Sequence, residues 1–349
     1  MMSDLDFYRA IEKQLETSLP FVIYREPGQL TIKAILQKDN KLNLVKSFLE
    51  TGFVFAPFDN QHKTVLIIPD NTIETVLAIK PEKILKTRKH SFDESDCKKH
   101  LQLVKKGITA IQNGSLKKVV LSRKEQLHNI AHNPIDIVKR LLTTYPNAFV
   151  YLWHHPKVGM WTGATPEVLL KTNDSTFETM ALAGTKLYSK GKEAVWGKKE
   201  QEEQQIVTDT IVKNLEKKVI TINLSDIHTY KAGSLLHLRT LIKGTLQNKK
   251  LKVLIETLHP TPAICGFPKE EAKRFIDKNE GYDRTYYTGF LGPLNMDKGI
   301  AAFYVNLRCM QIEGSKITLY IGGGITIESD PQSEWEETIN KAQTMLSVL

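Results

Sequence analysis

Leu319-Tyr320-Ile321-Gly322-Gly323-Gly324-Ile325-Thr326-Ile327-Glu328-Ser329-Asp330-Pro331-Gln332-Ser333-Glu334-Trp335-Glu336-Glu337-Thr338-Ile339-Asn340-Lys341 reads as a strand, a glycine turn, a short extended piece and a helix. Three glycines leave the backbone without Cβ atoms, so amides there can approach a ligand closely. Asp330 is a good helix N-cap and Pro331 a good first helical residue. In the helix that follows, Glu334, Glu337 and Lys341 fall at i, i+3 and i+7, within one narrow sector. Trp335, Ile339, Ala342 and Leu346 form the apolar stripe beside it. Two carboxylates and a lysine next to a core-facing stripe fit a metal or anion site. The same spacing also fits a solvated face on which Glu337 pairs with Lys341.

Working outward, Ile300 to Arg308 and Lys316 to Ile321 read as two strands joined by a polar turn containing Gly314, which delivers the chain to this stretch. Upstream, a helix is expected around Lys269 to Lys278, after a break at His259-Pro260-Thr261-Pro262-Ala263. Leu251 to Thr257 fits a short helix or a strand, and 235–243 a strand or buried loop. Glu200 to Ile220 has helical spacing, with Glu203, Ile206, Val207, Thr210 and Asn214 along one side. Glycines and lysines dominate from Leu187 to Lys199, as in a mobile surface loop. Phe177 to Ala183 reads as a strand ending in Gly184-Thr185. Trp161 to Leu170 reads as turn-like and then strand-like. Ala148 to Trp153 and Lys118 to Arg123 read as strands, preceded by helices at Pro134 to Thr144 and from Asp93-Glu94 to Asn113-Gly114. In the first 90 residues a helix is expected from Asp4 to Leu15. Strands are expected at Phe21–Tyr24, Phe53–Ala56 and Thr64–Pro69, and mixed helix and loop from Ile73 to Leu85.

There is no tandem repeat and no Pro/Gly/Ser linker. Hairpin-like pairs outnumber βαβ units, which predicts an α+β fold with antiparallel sheets. Candidate functional residues lie on both sides of the middle, so one domain over 1–349 is expected. The 349 residues suffice for a large core. The formal charge of +9 is spread over short pairs such as Lys117-Lys118, Lys198-Lys199 and Lys217-Lys218, with no arginine-rich arm or RNA-binding aromatic motif. That pattern suits an anionic metabolite better than nucleic acid, and no nucleic-acid partner is expected. Cys97, Cys265 and Cys309 are too few and too scattered for a disulfide framework or a cysteine metal site. Asp4, Asp6 and Glu12 mark an N-terminus with no basic segment before an apolar run. No signal peptide, transmembrane span or membrane partner is expected, and a cytoplasmic location is.

Five motifs, taken in order, resemble the chorismate-utilising enzyme family (anthranilate synthase component I-like), and within it the isochorismate synthases. They are Lys118-Val119-Val120-Leu121-Ser122-Arg123, Gly163-Ala164-Thr165-Pro166-Glu167, Ala183-Gly184-Thr185, Leu258-His259-Pro260-Thr261-Pro262-Ala263 with Gly266 and Pro268, and the opening stretch through Lys341. The resemblance covers about 95–349, the catalytic region, while 1–90 corresponds to a variable sheet-building region. It implies two large antiparallel sheets packed face to face with helices outside.

The resemblance also implies roles. Glu203 and Glu337 match carboxylates that bind Mg²⁺, which holds a carboxylate of chorismate; Glu334, one turn earlier, matches a supporting partner. Mg²⁺ prefers hard oxygen ligands and keeps several waters, so two carboxylates with water and substrate form a sensible set. Lys118 matches a general base that activates water for attack at C2, and Glu167 a general acid that protonates the departing C4 hydroxyl. The base needs a lowered pKa and the acid a raised one. Tyr287 and Arg308 match contacts to the enolpyruvyl carboxylate, for which the arginine fork is suited. Gly184, Thr185 and the amides of Gly322, Gly323 and Gly324 would hold other oxygens. Lys341 would neutralise the acidic pocket or reach a substrate carboxylate, and His259 and Ala263 would shape the ring pocket.

The implied reaction is Mg²⁺-dependent, reversible conversion of chorismate to isochorismate, with menaquinone synthesis preferred as its use and siderophore synthesis as the alternative. Ammonia-using relatives lack a lysine at the Lys118 position, so no obligatory glutaminase subunit is expected, and a monomer is. A salicylate synthase, which goes on to eliminate pyruvate, is the second reading. A non-enzymatic interaction protein would not be expected to retain acid, base and metal residues together. Departures from the family pattern are Glu202 and Gln204 flanking Glu203 in place of histidines, the residue at Lys198, Lys186 after Ala-Gly-Thr, and Tyr282-Asp283-Arg284-Thr285 without an Arg-Gly pair.

Overall fold

The computed structural model describes residues 2–76, 92–128, 133–191, 193–246 and 251–349. The chain begins with α1 (Asp4–Glu16), β1 (Phe21–Arg25), β2 (Thr31–Leu36), β3 (Asn43–Leu44), β4 (Gly52–Ala56), β5 (Val65–Ile67), β6 (Asn71–Val76) and α2 (Glu94–Gln112). Next come β7 (Lys118–Leu127), α3 (Pro134–Thr144), β8 (Phe149–His155), β9 (Gly159–Thr165), β10 (Val168–Asn173), β11 (Thr176–Leu187) and α4 (Lys198–Leu215). They are followed by β12 (Val219–Leu224), β13 (His228–Ala232), β14 (Leu235–Leu246), α5 (Leu251–Leu258), β15 (Gly266–Phe267) and α6 (Lys269–Asn279). The last elements are β16 (Phe290–Leu294), β17 (Ile300–Val305), β18 (Cys309–Glu313), β19 (Lys316–Ile325) and α7 (Pro331–Leu346).

Among the described residues the strands form two sheets. The first runs β15-β7-β19-β18-β9-β8-β1-β2-β6, and the second β12-β14-β11-β10-β17-β16-β4-β5-β3, with β13 beside β14. The pairings are antiparallel throughout. The α+β expectation of two antiparallel sheets with helices outside therefore holds.

Side chains alternate between the two faces of each strand, and here both faces are covered. On β1, Val22 and Tyr24 enter the layer between the sheets, while Phe21 and Ile23 face the helical side with Phe7, Val138 and Leu141. On β8, Phe149, Tyr151 and Trp153 point inward, and Val150 and Leu152 outward. Burial on both faces explains why these strands read as unbroken apolar runs. The inner layer is aromatic: Phe149 of the first sheet stacks on Tyr304 of the second with ring centroids 4.0 Å apart. Outside the second sheet, α4 and α5 bury Val207, Ile211, Leu215, Leu254 and Leu258.

Several local expectations change. Gly322-Gly323-Gly324 is not a turn; it lies inside β19, paired with Ser122, Leu121 and Val120 of β7. Trp161 to Thr165 is strand β9, not a turn. Ile73 to Val76 is strand, paired with β2, and the rest of the mixed segment to Leu85 lies outside the described residues. The helix from Lys198 ends at Leu215, and Ile220 belongs to β12. Its buried face is Glu203, Gln204, Val207, Thr208, Ile211 and Leu215, rotated from the expected one because Gln204 turns inward to Ala181 O, 3.1 Å away. Ile300 to Arg308 does not pair with β19. β17 ends at Val305 in the second sheet, the chain crosses over, and β18 begins at Cys309 in the first. Arg308 makes that crossing in the left-handed region, at φ 46.

Candidate active site

A cleft opens where β7 and β19 of the first sheet face β11 and β14 of the second. Its lining includes Val120, Glu167, Gly184, Thr185, Glu203, His237, Ala263, Tyr287, Arg308, Gly322, Gly323, Gly324 and Lys341. The glycines of β19 make room for functional side chains on both faces of one strand. A Cβ on Gly324 would lie 2.1 Å from Glu203 Oε1 and 3.0 Å from Lys118 Cε. On Gly322 it would lie 2.8 Å from the Tyr287 hydroxyl, and on Gly323 3.3 Å from Glu334 Oε2 and 3.6 Å from Glu337 Oε1. The triplet is therefore a strand stripped of side chains so that carboxylates can rest against it.

Three carboxylates gather there, each beside a lysine. Lys118, the first residue of β7, is fully buried, with Nζ 2.9 Å from Glu203 Oε1. The other oxygen, Oε2, accepts the Gly184 N–H at 3.1 Å. Lys341 Nζ stands 2.6 Å from Glu337 Oε1 and donates to Gly322 O at 2.9 Å. Lys199 Nζ lies 2.6 Å from Glu334 Oε1. Burial raises the Glu337 carboxyl, but Lys341 and Lys199 overcome it and hold it below the ordinary range. Glu334 is pushed up by burial and by Glu337, against the pull of Lys199. Burial disfavours the Lys199 ammonium, yet Glu334 and Glu337 raise its pKa and keep it charged.

Glu167 is held differently. It sits in the break between β9 and β10, where its N–H reaches Thr165 Oγ1 at 3.3 Å and its C=O accepts from Val305 N at 3.0 Å. The residue is 3% exposed. Burial pushes its carboxyl up to about 8, although Lys118, Arg308 and Lys341 oppose the shift. At neutral pH it carries a proton, the state a general acid requires.

Gly184 and Thr185 reach the cleft through a bulge in β11. The register with β14 shifts between Ala183 and Lys186, with Gly184 at φ +70, and the strand then continues to Leu187 rather than ending. Tyr287 is buried and stacks on Tyr320 at 5.3 Å. Among the described residues the Arg308 guanidinium meets only neutral partners at hydrogen-bond distance, Thr344 Oγ1 at 3.3 Å and His237 Nε2 at 3.2 Å. A guanidinium so placed is disposed to receive an anion. His259 is not part of the lining. Its Nε2 lies 3.2 and 3.1 Å from the carbonyls of Pro57 and Phe58, so it fastens the 57–58 loop.

The structure adds two residues that the sequence reading did not single out. Lys199 is one. The other is His237, whose Nδ1 donates to Gly184 O at 2.7 Å, leaving Nε2 to accept from Arg308. Burial, aided by Arg308, lowers its pKa to about 3, so it is a neutral imidazole. Within Leu235-Leu236-His237-Leu238 nothing marks it from an ordinary core histidine; only the β11–β14 register brings it to Gly184.

The carboxylates fit a divalent cation in donor type. Gly323 and Gly324 hold three carboxylates about one backbone segment, and all their donors are hard oxygens. Among the described residues no three His, Cys, Asp or Glu side chains form a metal-holding group.

Residues 41–349 match the family described as chorismate binding enzyme, and the chain belongs to that family. Isochorismate synthase MenF of Haemophilus influenzae is 28% identical over 90% of this chain and 73% of its own length. The putative isochorismate synthase of Aeromonas hydrophila is 31% identical over 70% of this chain and 65% of its own. In three dimensions the chain resembles the putative 2,3-dihydroxybenzoate-specific isochorismate synthase DhbC from Bacillus anthracis. That match has a TM-score of 0.80 and 25% identity, and covers 97% of this chain and 98% of the other. Among the described residues no helix is long and apolar enough to cross a membrane.

Proposed function

We propose that the chain is an isochorismate synthase that converts chorismate reversibly to isochorismate. The observation that carries this reading is the buried Glu167 carboxyl of the cleft, pushed up to about 8, with Lys118 behind the lining residue Glu203 and near enough to oppose the shift. Lys118 takes a proton from water as its oxygen bonds to C2. The ring double bonds shift, the C4–O bond breaks, and Glu167 gives its proton to the departing hydroxyl, which leaves as water. The reading requires Lys118 to part from Glu203 and to give up its own ammonium proton to solvent before the amine can accept that proton. Arg308 and Tyr287 would receive the enolpyruvyl carboxylate, and Gly184, Thr185 and the β19 glycine amides other oxygens. His237, neutral and fixed between Gly184 and Arg308, would orient both.

Glu203 and Glu337 would hold Mg²⁺, with Glu334 supporting them. When bound, the ion supplies a positive seat for a substrate carboxylate. The bottom of the cleft would then bring together one neutral acid, one amine and a fixed carboxylate anchor, as displacement across the ring requires.

The test is incubation of the protein with chorismate and Mg²⁺, with products separated over time. Isochorismate is expected to accumulate to equilibrium and, when supplied, to revert; chelation and Lys118→Ala should each abolish turnover. Salicylate and pyruvate appearing without a separate lyase would replace this reading with salicylate synthase, and full activity of Lys118→Ala would remove the proposed base. For the product's destination we take menaquinone synthesis. A disrupted strain rescued by menaquinone supports it, and one rescued only by 2,3-dihydroxybenzoate refutes it.

A further inference from the structure

The helices carrying the two candidate cation ligands are joined one turn ahead of those ligands. Lys199 lies in the first turn of α4, four residues before Glu203, and Glu334 in the first turn of α7, three before Glu337. Each spacing places its two side chains on one helix face. Between the helices, Lys199 Nζ meets Glu334 Oε1 at 2.6 Å. The Glu334 side chain is 1% exposed and that of Lys199 21%, so the pair is largely withdrawn from water. The other two lysine pairs, Lys118–Glu203 and Lys341–Glu337, engage the candidate ligands themselves. The Lys199–Glu334 pair instead spans α4 and α7.

We propose that Lys199 is a positioning residue: by clamping Glu334 it sets α4 against α7, so that Glu203 and Glu337 are held ready for one divalent cation. This rests on the magnesium reading above. Charge and geometry predict opposite outcomes here, which makes the inference sharp. A lysine near a cation site repels the cation, so on charge alone its removal should tighten Mg²⁺ binding. If Lys199 positions the ligands, its removal should weaken binding instead.

The test is calorimetric titration of the full-length protein with MgCl₂, without substrate. Lys199→Met is expected to bind Mg²⁺ about 10-fold or more weakly, the range seen when partners of metal ligands are removed. Lys199→Arg, which keeps charge and donors, should bind within about 3-fold of wild type, because the arginine fork suits a carboxylate. Lys199→Gln, a milder change that is useful if the methionine variant folds poorly, should fall between them. Lys199→Met combined with Glu334→Gln should be no weaker than the more affected single variant, because both break one clamp. Unchanged or tighter binding by Lys199→Met and Lys199→Gln, or additive losses in the double variant, overturns the inference while leaving the magnesium reading intact. A wild-type protein that takes up no Mg²⁺ overturns both.

Discussion

Glu167→Gln separates a protonated carboxyl from an ionised one without changing its shape. In an unfolded chain a glutamate titrates near 4.5, whereas the buried Glu167 titrates near 8. Between those values the unfolded chain releases a proton that the folded chain retains, so rising pH favours unfolding. The contribution is fully present below about pH 4.5 and lost as pH passes about 8. At about 1.4 kcal/mol per pH unit the whole window amounts to at most about 5 kcal/mol, and water entry around the anion would reduce this to about 2–3 kcal/mol. Glutamine does not titrate. Equilibrium urea denaturation should therefore give wild type and Glu167→Gln stabilities within about 1 kcal/mol of each other at pH 5. By pH 9 the variant should be the more stable by about 2–3 kcal/mol.

Turnover of chorismate by the same variant should fall by about 10²–10⁴-fold, the usual worth of a positioned acid. The opposite directions of the two effects are the diagnostic result. A stability difference that stays flat from pH 5 to 9 would mean that Glu167 is ionised in the folded protein at neutral pH. It could not then be the proton donor, whatever the activity of the variant.

Two further substitutions test other parts of the site, and a third tests backbone strain outside it. Gly324→Ala puts a methyl group 2.1 Å from Glu203 Oε1; the carboxylate tip can swing away, so stability should change by only about 1 kcal/mol while activity drops at least about 10-fold. Near-normal turnover with normal stability would show that Glu203 need not rest on β19. His237→Ala should raise the KM for chorismate about 10-fold by unpairing Gly184 O and loosening Arg308, and an unchanged KM would exclude an orienting role. Thr285, a β-branched residue at φ 49, should tolerate glycine with a stability change between 0 and about +1 kcal/mol. A loss above about 1 kcal/mol in thermal or urea unfolding would show that its side-chain contacts outweigh the backbone strain.

How far these features could be read in the sequence depends on how local their causes are. The α7 start was legible because Asp330 and Pro331 act within one turn, and Asp330 does accept the Ser333 N–H at 2.8 Å. The antiparallel α+β architecture was legible from apolar runs bounded by turn residues. The glycine triplet was not, since the same three residues suit a turn or a strand. Pairing with Val120, Leu121 and Ser122, two hundred positions away, decides it. Arg308 looked like the end of a strand because local pattern cannot show a chain leaving one sheet for the other. His259 stands in a family motif, but its ring is taken up by the 57–58 carbonyls, a contact that no local spacing announces. Lys199 was hidden by its neighbours: among scattered lysines, only the approach of α7 marks the one facing Glu334.

The four buried or half-buried glutamates of the cleft carry the strongest chemical argument, because their surroundings differ where their sequence contexts do not. Glu203, Glu334 and Glu337 each have a lysine nitrogen within 2.9 Å. Among the described residues Glu167 has no lysine or arginine within ion-pair distance and feels Lys118, Arg308 and Lys341 only from further off. Desolvation acts on Glu167, Glu334 and Glu337 alike; Lys341 and Lys199 hold Glu337 below the ordinary range, whereas Glu334, crowded by Glu337, stays raised in spite of Lys199. Glu337, held ionised by two lysines, is thus suited to accept a cation, and Glu167, with none at contact, to keep a proton. Groups of one chemical type driven to different protonation states in one cavity mark a division between acid and ligand. Here the division between Glu337 and Glu167 follows from what each element brings alongside: α7 and α4 set Lys341 and Lys199 about Glu337, while Glu167, in the break between β9 and β10, feels its cations only from beyond ion-pair distance.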